Sequence, residues 1–100
     1  MPVLNRIADQ AGEVAEWRRY LHERPELLYD VHETAKTVTE KLTAFGCDEV
    51  VPGIGRTGVV GVIKGNKPGS KVIGMRADMD ALPLDEITGL PYASKVPGKM

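Results

Sequence analysis

The chain has a single cysteine, Cys47, so no disulfide can close within it. It has no apolar run long enough to span a membrane and no amino-terminal stretch patterned like a secretory signal, which makes a reducing cytoplasm the expected compartment. It lacks an excess of charge: 13 Lys and Arg stand against 14 Asp and Glu, for a formal net charge of -1. Neither nucleic acid nor an acidic membrane surface is therefore an expected partner, and small molecules or proteins remain. There is no internal repeat and no low-complexity tract. The glycines between Gly53 and Gly61 match neither Gly-x-Gly-x-x-Gly nor a loop ending in Lys-Ser/Thr, which argues against a phosphate cradle. The two histidines, His22 and His32, are separated by nine residues and have no ligand-spaced partner, so no metal site is expected from them.

What the 100 residues do contain is one small domain's worth of globular sequence, 42% hydrophobic with 11 Gly and 7 Pro. A chain of this length buries only about two-thirds of its unfolded surface, so the core is expected to be modest. From Leu4 the apolar positions Ile7, Ala8, Ala11, Val14, Ala15, Trp17 and Leu21 recur every three or four residues, which predicts an amphipathic helix. Pro25 should stop it near His22 to Arg24. Asp30 as N-cap with Glu33 three residues on, the stripe Ala35, Val38, Leu42 and Phe45, and Gly46 as C-cap predict a second helix. The period then changes. Glu49-Val50-Val51 reads as a short strand and Gly58 to Lys64 as a longer one. Ser70 to Met75 reads as a returning strand across the turn Asn66-Lys67-Pro68-Gly69, which makes Val59 to Met75 the expected hairpin. Beyond Asp80 no period is visible, and Pro83, Gly89, Pro91, Pro97 and Gly98 mark loop.

The chemistry gathers in Arg76-Ala77-Asp78-Met79-Asp80-Ala81-Leu82-Pro83, where two carboxylates and a guanidinium follow an apolar segment. Ligands in open α/β sheets collect at the carboxyl ends of strands, and a carboxylate there can bind a cation, orient a ligand or move a proton. Asp-x-Asp is also an ordinary turn pattern, and Arg76 can pair with either aspartate as a structural ion pair. Cys47, close to a helix end with no adjacent base, reads as a half-buried inert thiol. Trp17 reads as core and His22 as packing at the helix end near Pro25.

Four segments in register carry a resemblance. Trp17 to Leu27 (WRRYLHERPEL), His32-Glu33-Thr34, Thr57-Gly58-Val59-Val60-Gly61 and Arg76 to Pro83 together resemble the M20 metallopeptidase family. Within it they are most similar to the amidohydrolase branch of hippurate, N-acyl-amino-acid and auxin-conjugate hydrolases. The resemblance implies an α/β fold, here the N-terminal part of a zinc-peptidase-like catalytic domain spanning residues 1–100, without the lid or dimerisation domain. It implies that Pro97-Gly98-Lys99-Met100 stands just before a His-Ala-Cys-Gly-His-Asp ligand motif, so that the chain is the N-terminal piece of a longer enzyme. The cofactor implied is a divalent metal, Zn or Mn and two ions, none of them fully bound by this segment. These ions would acidify a bridging water and polarise an amide carbonyl while a glutamate, absent here, moves the proton.

The same resemblance gives Asp80 and Asp78 supporting catalytic roles. Asp80, three residues before Pro83, matches the aspartate that orients a metal-bound histidine in other branches. Asp78 stands where those branches have the histidine itself, a departure that speaks against a ligand role. No substrate-binding residue is assigned. The implied enzyme hydrolyses the amide bond of small N-acyl amino acids, is a homo-oligomer at full length, and is inactive as the piece given. The contrasting reading of the residues is a freestanding, non-catalytic binding module.

Overall fold

The computed structural model describes residues 2–100 and divides into two units, Met1–Pro25 with Ala81–Met100, and Glu26–Asp80. The regular elements are α1 (Asn5–Glu23), α2 (His32–Ala44), β1 (Glu49–Ile54) and β2 (Gly58–Val62). The class is α/β, as expected, and no helix among the described residues is long and apolar enough to cross a membrane.

In the first unit α1 runs up to the proline stop. Its first turn is opened by the Ile7 and Ala8 amides, which both donate to the Leu4 carbonyl, and its last turn closes with the Arg24 N–H on the Leu21 carbonyl at 3.1 Å. The Arg24 side chain folds back, donating to the Tyr20 carbonyl at 3.0 Å while its guanidinium lies 4.0 Å over the Tyr20 ring. The predicted apolar stripe is helical, yet no residue of α1 is fully buried, and Leu4, Ile7 and Val14 stay at least half exposed. Residues 81–100 carry no helix or strand, in line with the absence of any period there.

The second unit begins with a departure from the sequence reading at its helix start. Val31 occupies the N-cap of α2, and Asp30 does not cap; its carboxylate faces His32 at 3.4 Å on the surface. The cap comes from Glu26 instead. Its carboxylate accepts the Thr34 N–H (2.6 Å), the Thr34 hydroxyl (2.6 Å) and the Glu33 N–H (3.2 Å), satisfying amides that the helix itself leaves free. Burial pushes the Glu26 carboxyl up, but the Thr34 hydroxyl and the two amides outweigh it and hold the group below its ordinary range. At the other end Gly46, at φ +83°, donates to Thr43 O, and Cys47 donates to Leu42 O. This double closure needs a left-handed residue, which glycine adopts without a Cβ clash.

The strands pair, but not as expected. β1 and β2 form the antiparallel hairpin, in the register Glu49↔Val62, Val50↔Gly61, Val51↔Val60 and Ile54↔Gly58. Between Val51 and Ile54 the register slips at Pro52-Gly53, where Pro52 has no N–H to donate and Gly53 takes φ +78°. The expected hairpin of Val59 to Met75 is not formed. Ser70 to Met75 is not a strand, and Val72, Ile73 and Met75 are 93%, 89% and 97% exposed. Extended, β-branched sequence becomes a strand only where another backbone takes up its N–H and C=O groups; β2 has spent one edge on β1, and its other edge does not pair with Ser70 to Met75. α2 lies on the hairpin where a glycine makes room: a Cβ at Gly61 would stand 3.2 Å from Leu42 Cδ1 and 3.4 Å from Cys47 Sγ. The Cys47 thiol is half-buried there, as expected. Thr57 closes the unit, buried in the hairpin loop with its hydroxyl donating to the Tyr29 carbonyl at 3.2 Å.

Candidate functional site

The aspartates singled out by sequence lie on the irregular, exposed run that ends the second unit. Arg76 Nη2 donates to Asp78 Oδ1 at 2.6 Å, so the expected ion pair forms with Asp78, between two largely exposed side chains. Such a pair contributes little to stability, because water screens both charges. Asp80 is exposed as well, and nothing among the described residues pairs with it. No group of three or more His, Cys, Asp or Glu that could hold a metal ion assembles among the described residues. Two surface carboxylates do not supply the three or four donors that a divalent site requires. The donor set present therefore does not fit a complete metal centre, and no catalytic step follows from it.

A different carboxylate carries a network of polar contacts. Glu86, in the first unit, has only 3% of its side chain exposed. It accepts from His22 Nε2 at 2.6 Å and from the Ser94 N–H at 3.0 Å, and the Thr88 hydroxyl donates to its second oxygen. The Thr88 hydroxyl and then the Ser94 amide hold the Glu86 carboxyl below its ordinary range, aided by His22 and opposed by burial. His22 belongs to the last turn of α1, and its ring meets Tyr92 edge-on at 6.0 Å. The guanidinium groups of Arg18 and Arg19 lie 5.5 Å and 4.7 Å from the Tyr92 ring centre. Beside them the Lys95 N–H donates to the Glu23 carbonyl (2.9 Å) and Lys95 Nζ reaches Glu23 Oε2 (2.8 Å), an interaction that lowers the Glu23 carboxyl.

Chemically this cluster is a binding and ordering network. Both oxygens of the Glu86 carboxylate have partners, and no buried side-chain N or O among the described residues lacks one. Sequence reasoning placed His22 at the helix end and missed Glu86. The two lie 64 positions apart, and Glu86 sits in a stretch without period. The one local signal is Thr88, two residues on, whose hydroxyl can reach back to the carboxylate.

The likenesses found among known proteins are to hydrolases and peptidases. No family model matches the chain. It is 54% identical over 96 residues to a hippurate hydrolase of Campylobacter jejuni, a match that covers 95% of this chain and 24% of the relative. It is 44% identical over 105 residues to thermostable carboxypeptidase 2 of Saccharolobus solfataricus, covering all of this chain and 26% of that enzyme. Among solved structures it is similar to the Bacillus subtilis YXEP protein, described as a dinuclear metal-binding peptidase of the M20 family. That likeness has a TM-score of 0.81 at 43% identity and covers 89% of this chain and 24% of that one. The chain belongs to the M20 peptidase family. It spans about a quarter of the length of the relatives it matches.

Proposed function

We propose that this chain forms part of the catalytic domain of a metal-dependent amidohydrolase that cleaves the amide bond of small N-acyl amino acids of the hippurate kind. The observation that carries the reading is the 54% identity to a hippurate hydrolase over nearly the whole chain. The M20 neighbour, a dinuclear metal-binding protein, supports a pair of divalent ions, Zn or Mn, in the complete enzyme. We read the metal ligands as lying outside the described residues, which assemble no ligand group of their own. In this reading Asp80 is the carboxylate that receives the ring N–H of a ligand histidine, and Asp78, held by Arg76, supports it from the same run. We read the complete enzyme as cytoplasmic and homo-oligomeric.

The test is hydrolysis by the protein that carries this segment, purified and loaded with Zn or Mn. Glycine should be released from hippurate, and amino acids from other N-acyl amino acids, in a chelator-sensitive way. Release from unblocked peptides alone would replace the amidohydrolase reading with a carboxypeptidase one, and no release from either would refute both. The 100 residues by themselves are expected to hydrolyse nothing, so turnover by them would contradict the placing of the ligands elsewhere.

A further inference from the structure

Residues 82–100 form a closed loop. The Leu82 N–H donates to the Met100 carbonyl at 2.7 Å and the Met100 N–H donates back to the Leu82 carbonyl at 2.9 Å, so the two ends are clasped by a reciprocal pair of backbone bonds. Between them there is no helix or strand, and none of the large apolar side chains is fully buried: Leu82, Leu84, Ile87 and Leu90 keep 59%, 43%, 96% and 42% of their surface exposed. Hydrophobic burial therefore supplies only part of what holds this loop shut. What lies inside it is polar. Glu86 collects the Ser94 amide and the Thr88 hydroxyl from the loop itself and His22 from α1, while the Gly98 amide is taken by Asp85 at 2.7 Å. Charge-assisted bonds to an enclosed carboxylate are the strong kind, and leaving their donors without an acceptor is costly.

We propose that Glu86 is a positioning residue: by gathering three donors it keeps the 82–100 loop closed and the Leu82–Met100 clasp made. The clasp fixes the backbone at Leu82, the second residue after Asp80 along the chain. The link to Asp80 rests on the amidohydrolase reading; the closure of the loop does not. His22 is the anchor on the helix side, and its part is to donate one N–H, which a glutamine can also do.

The experiment compares Glu86→Ala, Glu86→Gln, His22→Ala and His22→Gln by amide hydrogen exchange in the protein carrying this segment. Glu86→Ala should speed exchange at Leu82, Ser94 and Met100 by about tenfold or more, the size expected for losing bonds to a charged acceptor. Ala35 and Asp48, whose amides bond within the other unit, should be unmoved. Glu86→Gln should fall between, and His22→Gln should restore most of the protection that His22→Ala loses. Unchanged exchange at Leu82 and Met100 in Glu86→Ala would overturn the proposal, and so would equal loss in both His22 variants. In turnover of N-acyl amino acids, Glu86→Ala should lower kcat with KM nearly constant, whereas unchanged kcat would sever the link to Asp80. A wild-type protein inactive on these substrates, with the exchange pattern as expected, would sink the amidohydrolase reading alone.

Discussion

The unit Glu26–Asp80 is ordered by its backbone, through a helix, a hairpin and a double closure at Gly46, with side chains filling in behind. The unit made of Met1–Pro25 and Ala81–Met100 is ordered by the tips of its side chains. One helix and one long loop are joined there through Glu86 and His22, Glu23 and Lys95, and Tyr92 beneath two arginines. The difference has a thermodynamic side. A ladder of backbone bonds is cooperative and nearly indifferent to pH, whereas a network of carboxylates depends on their staying ionised. The contrast also explains where function is expected, because loops held by a few polar contacts open more readily than helices and hairpins.

The sharpest way to break the contrast is Gly58→Ala. A Cβ there would stand 2.5 Å from the Ile54 carbonyl oxygen, a backbone atom that cannot swing away, so the hairpin must shift. A loss of about 3 kcal/mol is expected in denaturant unfolding, with the Asp48 amide losing its bond to Val62 O while Ser94 keeps its protection. Second in size is Glu26→Ala, which strips three donors at the start of α2. About 2 kcal/mol should be lost, read as faster exchange at Glu33 and Thr34; a change below about 0.5 kcal/mol would show that α2 needs no cap from outside its own turn.

Acid should separate the units next. Glu86, Glu23 and Glu26 are all lowered in the folded chain. A carboxylate whose folded pKa lies below its unfolded one contributes stability that is full above the unfolded value, about 4.3 for glutamate, and is lost as pH falls through the folded value. Two of the three lie in the loop-and-helix unit, so amide signals from Ser94 and Lys95 should change below about pH 4 before those of the hairpin. Simultaneous loss in both units would erase the distinction. The smallest effect belongs to Asp78→Asn, which removes an exposed ion pair. Its cost should be within about 0.5 kcal/mol, so any larger loss of turnover than of stability would mark a functional use of that carboxylate.

How much could be read beforehand follows the same division. Pro25 ending α1, the stripe from Ala35 to Phe45 and the closing role of Gly46 are all local, written within a turn or two of the residues they affect. Asp30 misled because it stood at the right spacing for a cap, while the acceptor that won, Glu26, reaches the helix from eight residues before Thr34. Ser70 to Met75 misled because strand composition says nothing about whether a second backbone is present to pair with it. Glu86 was illegible for a plainer reason: its meaning depends on His22, 64 positions away, and no periodic pattern spans that distance. Asp78 and Asp80 were conspicuous by their spacing, and the fold places them on the surface with only Arg76 for company.

The slip in β1 has a consequence for how this sheet can grow. Pro52 and the left-handed Gly53 interrupt the row of donors and acceptors along one strand, while β2 runs unbroken from Gly58 to Val62. A two-stranded sheet with two clean borders could be extended at either side and stacked end to end without limit. This one has a single clean border. A further strand can follow β2 along its whole length, whereas along β1 it meets Pro52, which has no N–H to offer.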